Sequence, residues 1–87
     1  MTYRNLKDHT RSNCRVRIYD NGESDFISYY TVVLMIRYID GQRHIHCTGT
    51  YSPTTRKQIG YFLKEYAPNL CYQDMKRIAE TGEFMPF

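Results

Sequence analysis

Two clusters in the chain carry residue types capable of chemistry: His44-Ile45-His46-Cys47 and Thr54-Thr55-Arg56-Lys57. The first has the donors of a transition-metal site. On a strand, however, His44 and His46 share one face, roughly 6.5–7 Å apart, while Cys47 points to the other. A protein zinc site takes three or four ligands, and no second cluster completes one. No metal or other cofactor is therefore expected. Nucleophilic and acid–base chemistry have as little support. The chain has no nucleophile elbow, phosphate loop, HExxH or paired-carboxylate motif. Asp8-His9 falls in a polar arm that would fix its geometry poorly. The expectation is a protein without catalytic residues.

The second cluster opens a helix. Arg56 and Lys57 then lie in the first turn, where the helix dipole is positive and bases are mildly unfavourable. Together with Thr54, Thr55 and the free N–H groups they form an anion pocket, suited to a phosphate or carboxylate of a partner. A third set emerges once strands are assigned. Tyr29, Thr31, Arg37, His44, His46, Thr48 and Thr50 fall on one sheet face, whose aromatic, basic and hydroxyl groups could stack bases or enter a major groove. Arg15 and Arg17 would meet phosphates. The partner-binding residues expected from sequence are Arg15, Arg17, Tyr29, Arg37, His44, His46, Arg56 and Lys57.

The elements that must hold these residues can be read from periodicity. Residues 1–13 are polar and read as a flexible basic arm. From Cys14, Val16 and Ile18 alternate with Arg15, Arg17 and Tyr19, which reads as a half-buried strand. Asp20-Asn21-Gly22-Glu23 is a turn cluster. Phe26 to Ile39 is a single long β-rich run with room for a bulge or bend near 28–31. Asp40-Gly41 then signals a two-residue hairpin. That turn pairs Ile39 with Gln42, Ile36 with Ile45, Leu34 with Cys47 and Tyr30 with Tyr51. It places Tyr30, Val32, Leu34, Ile36 and Tyr38 in the core, and Tyr29, Thr31, Val33, Met35 and Arg37 on the open face. Thr55-x-x-Gln58 reads as a capping box, and Ile59, Phe62, Leu63 and Tyr66 form one apolar stripe behind it. Gly60 in that helix suggests close contact with the sheet. A second helix follows over 70–81 with Gly82 as its stop. The expected fold is α+β: a two-layer arrangement with a three-stranded antiparallel sheet over 14–51, then two helices over 55–81, in the order βββαα. The apolar tail at 82–87 should dock on the core or on a partner.

Length and composition bound the rest. A chain of 87 residues makes one domain and buries only roughly 60% of its unfolded surface, too little for a two-domain cleft enzyme or a barrel with a cavity. Charged residues at 24% and hydrophobic residues at 41% argue against disorder. No apolar run approaches the roughly 20 residues of a membrane span. The polar start, MTYRNLKDHTR, has no signal-peptide pattern, and three cysteines suggest small buried thiols in a reducing, cytoplasmic setting. Net charge is +3 and unevenly placed: residues 1–17 hold five bases against Asp8, and 37–64 hold five against Asp40. That balance suits a nucleic-acid or nucleoprotein partner and excludes an acidic DNA mimic.

Tyr51-Ser52-Pro53-Thr54-Thr55-Arg56-Lys57-Gln58-Ile59, with Phe62-Leu63-Lys64-Glu65-Tyr66, resembles a stretch found in small bacteriophage proteins, Y-S-x-T-T-x-K/R-H-I-x-x-F-L after a hairpin. It covers about a quarter of the chain, and Gln58 stands where that stretch carries His. The resemblance implies a phage accessory protein acting in the host cytoplasm. By analogy at the level of class, it implies a non-catalytic inhibitor of a host protein or nucleoprotein defence complex, as anti-CRISPR proteins are. Three strands followed by a helix are also similar to the DNA-binding domains of tyrosine integrases and plant AP2 proteins. That likeness implies the alternative, a small sheet-based binder of double-stranded DNA.

Overall fold

Asp40 and Gly41 both adopt positive φ, 53° and 80°, the conformation a two-residue hairpin turn demands. They join β4 (Thr31–Ile39) to β5 (Gln42–Cys47). The register is the one the turn dictates, with Ile39 opposite Gln42, Ile36 opposite Ile45 and Leu34 opposite Cys47. The computed structural model describes residues 1–5, 14–49 and 52–87. The expected pairing of Tyr30 with Tyr51, the placement of Thr50, and Asp8-His9 lie outside those residues.

The sheet has six strands, not three, in the order β1-β2-β3-β4-β5-β6, with every neighbouring pair antiparallel. Three physical causes account for the difference. First, the long β-rich run reverses rather than bends. It divides at Tyr29-Tyr30 into β3 (Ser24–Ser28) and β4, with Ser28 opposite Thr31. Tyr29 carries a φ of 56°, uncommon for a bulky residue. Second, Thr2–Arg4 forms β1 on the outer edge of β2 (Cys14–Ile18). Cross-strand bonds hold it there, and so does the Arg4 guanidinium, which donates to the Glu65 carboxylate and the Tyr66 hydroxyl of the first helix. Third, Met85–Pro86 forms β6 along β5. Phe87 N–H donates to the Arg43 carbonyl at 3.1 Å, and the Arg43 guanidinium lies 4.6 Å from the Phe87 ring centroid.

A bulge sets the core face. Ile27 pairs with Val32 and Phe26 with Leu34, so Val33 is extra. Val33 and Leu34 are consequently both fully buried, whereas alternation had assigned Val33 to the open face. Tyr30, expected in the core, sits in the turn at 96% exposure, and Tyr38 lies exposed near the strand end. Val16, Phe26, Leu34, Ile36 and Ile45 form the sheet side of the core.

Two helices cover that face. α1 spans Pro53–Tyr66 and α2 spans Tyr72–Thr81. Ser52, rather than Thr55, caps α1: its Oγ accepts the Thr55 N–H at 3.4 Å, and Pro53 fills the first helical position, where its missing N–H costs nothing. Thr55 and Gln58 point inward instead, and the Ser28 hydroxyl donates to the Gln58 side-chain carbonyl. Ile59, Phe62 and Leu63 pack on the sheet, with the Phe62 ring stacked on Phe26 at 4.9 Å between centroids. Met75 and Ile78 of α2 complete the layer. Each such fully buried side chain contributes roughly 1.5–3 kcal/mol relative to exposure. Gly60 does not meet the sheet. It is exposed, and among the described residues an added Cβ would find no atom within 4 Å. A glycine at such a position costs about 1 kcal/mol relative to alanine. The result is a two-layer α+β fold with helices on one side of an antiparallel sheet and the other side uncovered by either helix.

Candidate functional site

The open sheet face is built by residues that alternate with the core. Arg15 and Arg17 come from β2, Asp25 from β3, Met35 and Arg37 from β4, and His44 and His46 from β5. Strand pairing places Arg17 opposite Asp25, Arg37 opposite His44 and Met35 opposite His46. Asp25 is only 2% exposed although it lies on this side. Its cover is a network of side chains. Arg17 donates from Nε at 3.1 Å and Nη2 at 2.7 Å to Asp25 Oδ2, and the Tyr19 hydroxyl donates to the same oxygen at 2.6 Å. Arg37 Nη2 lies 2.7 Å from Oδ1. Among the described residues Oδ1 has no hydrogen-bond partner, so the charge of Arg37 is what holds it. Arg37 Nη1 donates to the Ser24 and Ile36 carbonyls, which fixes the guanidinium in place. The Tyr19 ring is approached by both cations, at 5.6 Å from Arg17 and 5.4 Å from Arg37.

These contacts set the ionisation of the cluster. Burial pushes the Asp25 carboxyl up, but the hydrogen bonds from Tyr19 and Arg17 and the approach of Arg37 outweigh it, and the group lies below the usual carboxylate value. Hydrogen bonding to Asp25 raises the Arg17 guanidinium, and the same acceptor raises the Tyr19 phenol. Asp25 stays ionised and the Arg17 guanidinium stays charged. One buried anion therefore supports a cationic, aromatic surface.

Arg15 extends that surface, with its guanidinium 5.4 Å from the Tyr3 ring centroid. The two imidazoles are tethered. His44 Nδ1 donates to the Gln42 carbonyl at 2.9 Å, and His46 Nδ1 donates to the Glu83 carbonyl at 2.8 Å. The His46 ring stacks on Phe84 with centroids 4.6 Å apart. Among the described residues, no group of three or more His, Cys, Asp or Glu side chains could hold a metal. Cys47 is buried, and burial raises its thiol, but Cys71 is exposed at the start of α2, so the expectation of uniformly buried thiols is corrected.

The remaining candidates lie elsewhere. Arg56 and Lys57 are exposed on α1 and, with Pro53 and Tyr72, line a shallow pocket of about 370 Å³. The Arg56 guanidinium sits 5.7 Å from the Tyr72 ring centroid. The anion pocket differs from the expected one, because Thr55 is buried and Ser52 takes the N–H groups of Thr55 and Arg56. Tyr29, expected on the open face, belongs to the β3–β4 turn. The eight expected residues thus divide: five share the open face, two lie on α1 and one is at a turn.

Asp25 and Tyr19 were not singled out by sequence. Asp25 read as one of the acids around the turn, and only the β2–β3 and β3–β4 pairings together bring it between two arginines. No protein-family model matches the chain, and neither a curated protein nor a solved structure matches it. Among the described residues, no helix is long and apolar enough to cross a membrane.

Proposed function

We propose that this chain is a non-catalytic binding protein that docks through its open sheet face onto a protein or nucleoprotein partner. With the phage-like stretch at Tyr51–Leu63, the partner is a host defence complex and the action inhibitory, in the manner of anti-CRISPR proteins. The observation that carries the reading is the Arg17–Tyr19–Arg37 arrangement over Asp25. Its side chains are fixed before any partner arrives, so docking loses little side-chain entropy. Tyrosine and arginine are also the residues that most often dominate protein interfaces. Pull-down from a bacterial lysate, with mass spectrometry, tests it. The expected result is a stoichiometric host protein or ribonucleoprotein that Arg15→Glu with His44→Glu no longer recovers. Recovery of no such partner, together with tight binding to bare duplex, overturns it.

The second reading is a sheet-based binder of double-stranded DNA. It is favoured by Arg15, whose charge faces no carboxylate among the described residues and is supported only by the Tyr3 ring. Arg15 and Arg17 would meet phosphates, and Arg37, His44 and His46 base edges. About five phosphate contacts would give a log–log salt slope near −4 to −5 on random duplex. No duplex binding at 50 mM salt removes this reading.

A further inference from the structure

Two reversals of the sheet differ in kind. Asp40-Gly41 turns β4 into β5 with residues that positive φ favours. The β3–β4 reversal is made instead by Tyr29 and Tyr30, with Tyr29 in left-handed backbone. Folding does not call for tyrosine there, since asparagine or glycine turns the chain with less strain. Tyr30 is 96% exposed, so its ring packs on almost nothing within the chain. An aromatic pair held out on a strained turn is a feature used by contact with another molecule.

The surroundings of this tip are basic. Ser28 Oγ lies 3.5 Å from Thr55 Oγ1 and bonds Gln58, which sets the first turns of α1 beside the tip. Arg56 and Lys57 are exposed there, and the first turn of α1 holds no acid. The other pole of the sheet has the opposite sign. The nine residues of β4 span about 30 Å, so the Tyr30 tip and the Asp40 turn lie at opposite ends of a molecule 33 Å in its longest extent. At the far end Asp20 and Asp40 are exposed, and the Glu23 carboxylate accepts the Tyr38 N–H at 3.0 Å. Tyr38 and Ile39 lie exposed beside them. The cations described near that pole are engaged: the Met1 amine meets Asp20 at 2.8 Å, Arg37 is fixed on Asp25, and the Arg43 guanidinium lies over the Phe87 ring.

We propose that copies of this chain associate end to end. The Tyr29-Tyr30 tip and the start of α1 of one copy dock on the Tyr38-Ile39-Asp40 pole of the next. Each pole carries exposed apolar surface, and the charges around the two have opposite signs, so a second copy complements both. A nucleic acid or an acidic protein would engage the basic tip alone and leave the acidic pole unexplained. Poles this far apart cannot meet within one chain. The contact is therefore heterologous and repeats, building a ring where the rotation closes and an open filament where it does not. The open sheet face takes no part, so the contact does not rest on the function proposed for that face.

The test is sedimentation equilibrium of the purified full chain between about 10 µM and 1 mM, at about 50 and 500 mM salt. At low salt the mean mass should climb past two chains as concentration rises. At high salt it should fall toward one, because screening shortens the reach of the charges. Tyr30→Ser should leave the melting temperature unchanged and weaken association about tenfold. Asp20→Lys with Asp40→Lys, and separately Arg56→Glu with Lys57→Glu, should each fold by circular dichroism and remain monomeric. Mixing those two variants should restore assembly. A wild-type chain that stays monomeric throughout overturns the proposal. So does a mass that saturates at two chains, since such a contact is closed, and so does a Tyr30→Ser chain that assembles like the wild type. A mixture of the folded charge variants that stays monomeric overturns it as well. Arg15→Glu with His44→Glu should assemble normally; loss of association there places the contact on the sheet face and equally overturns it.

Discussion

Arg37 and Asp25 meet on the uncovered side of the sheet, Nη2 to Oδ1 at 2.7 Å, where the carboxylate is as shielded as a core residue. The folded-state pKa of Asp25 lies below its unfolded value. The ionised carboxylate therefore stabilises the native state above the unfolded carboxyl pKa, near 3.9. That contribution disappears as pH falls through the folded-state value. Glu23 and Asp74 are lowered too and act in the same window. Urea unfolding should accordingly show stability dropping on the acid side of about pH 4. Asp25→Asn should cost about 2 kcal/mol or more at pH 7 and reduce the acid-side slope. An unaltered slope in that variant would contradict the assignment.

The Ser28–Gln58 bond crosses the interior between β3 and α1. Among the described residues, Gln58→Ala leaves the Ser28 hydroxyl with only Thr55 nearby, at 3.5 Å, and should cost about 1–3 kcal/mol. Ser28→Ala combined with Gln58→Ala should recover part of that loss, and a double-mutant cycle on urea melts measures the coupling. Gln58→His, the residue of the phage-like stretch, keeps an acceptor for Ser28 and should be tolerated better than Gln58→Ala.

Tyr29 pairs a large side chain with left-handed backbone, and half of it is exposed. Left-handed geometry costs an L-residue about 1–2 kcal/mol, and asparagine and glycine tolerate it best. Tyr29→Asn should raise the melting temperature by a few degrees. A fall of similar size would mean that Tyr29 makes packing contacts worth more than the strain.

Ile36 is buried where β3, β4 and β5 meet the helices, and Ile36→Ala should cost roughly 2–5 kcal/mol in chemical denaturation. His44→Ala should cost under about 0.5 kcal/mol. His46→Ala should cost more, about 1 kcal/mol, because it removes both the bond to Glu83 and the stack on Phe84. Equal, small effects of the two histidine substitutions would show that the tail does not lean on His46.

How far the sequence could be read depended on whether a signal was local. Asp40-Gly41 carries its own turn geometry, so the β4–β5 register and the placement of Leu34, Ile36, Ile45 and Cys47 followed from it. Tyr29-Tyr30 carries no turn chemistry, and a reversal there is enforced by pairing on both sides. One extra residue, Val33, then shifts the alternation of everything before it in β4. β1 and β6 have three and two residues, too few for periodicity, and exist through cross-strand bonds and contacts with Glu65 and His46. The cationic side of the sheet was legible from Arg15, Arg17, Arg37, His44 and His46. Its organising anion was not, since Asp25 gains meaning only from two neighbouring strands.

The sheet order repeats the chain order, and that shapes the kinetics of assembly. Pairing can begin at the Asp40-Gly41 turn, where closing so short a loop loses little chain entropy. β3 then adds across another two-residue reversal, and β2 across the turn that follows Tyr19. This side of the sheet can zip up one short closure at a time, the regime of fast folding. The opposite edge differs. β6 reaches His44 and Ile45 only after the chain has passed through both helices, which makes it a long-range closure. The protein should therefore reach a hairpin-built sheet early and seal its last edge late, with the α1–α2 layer setting the pace of that final step.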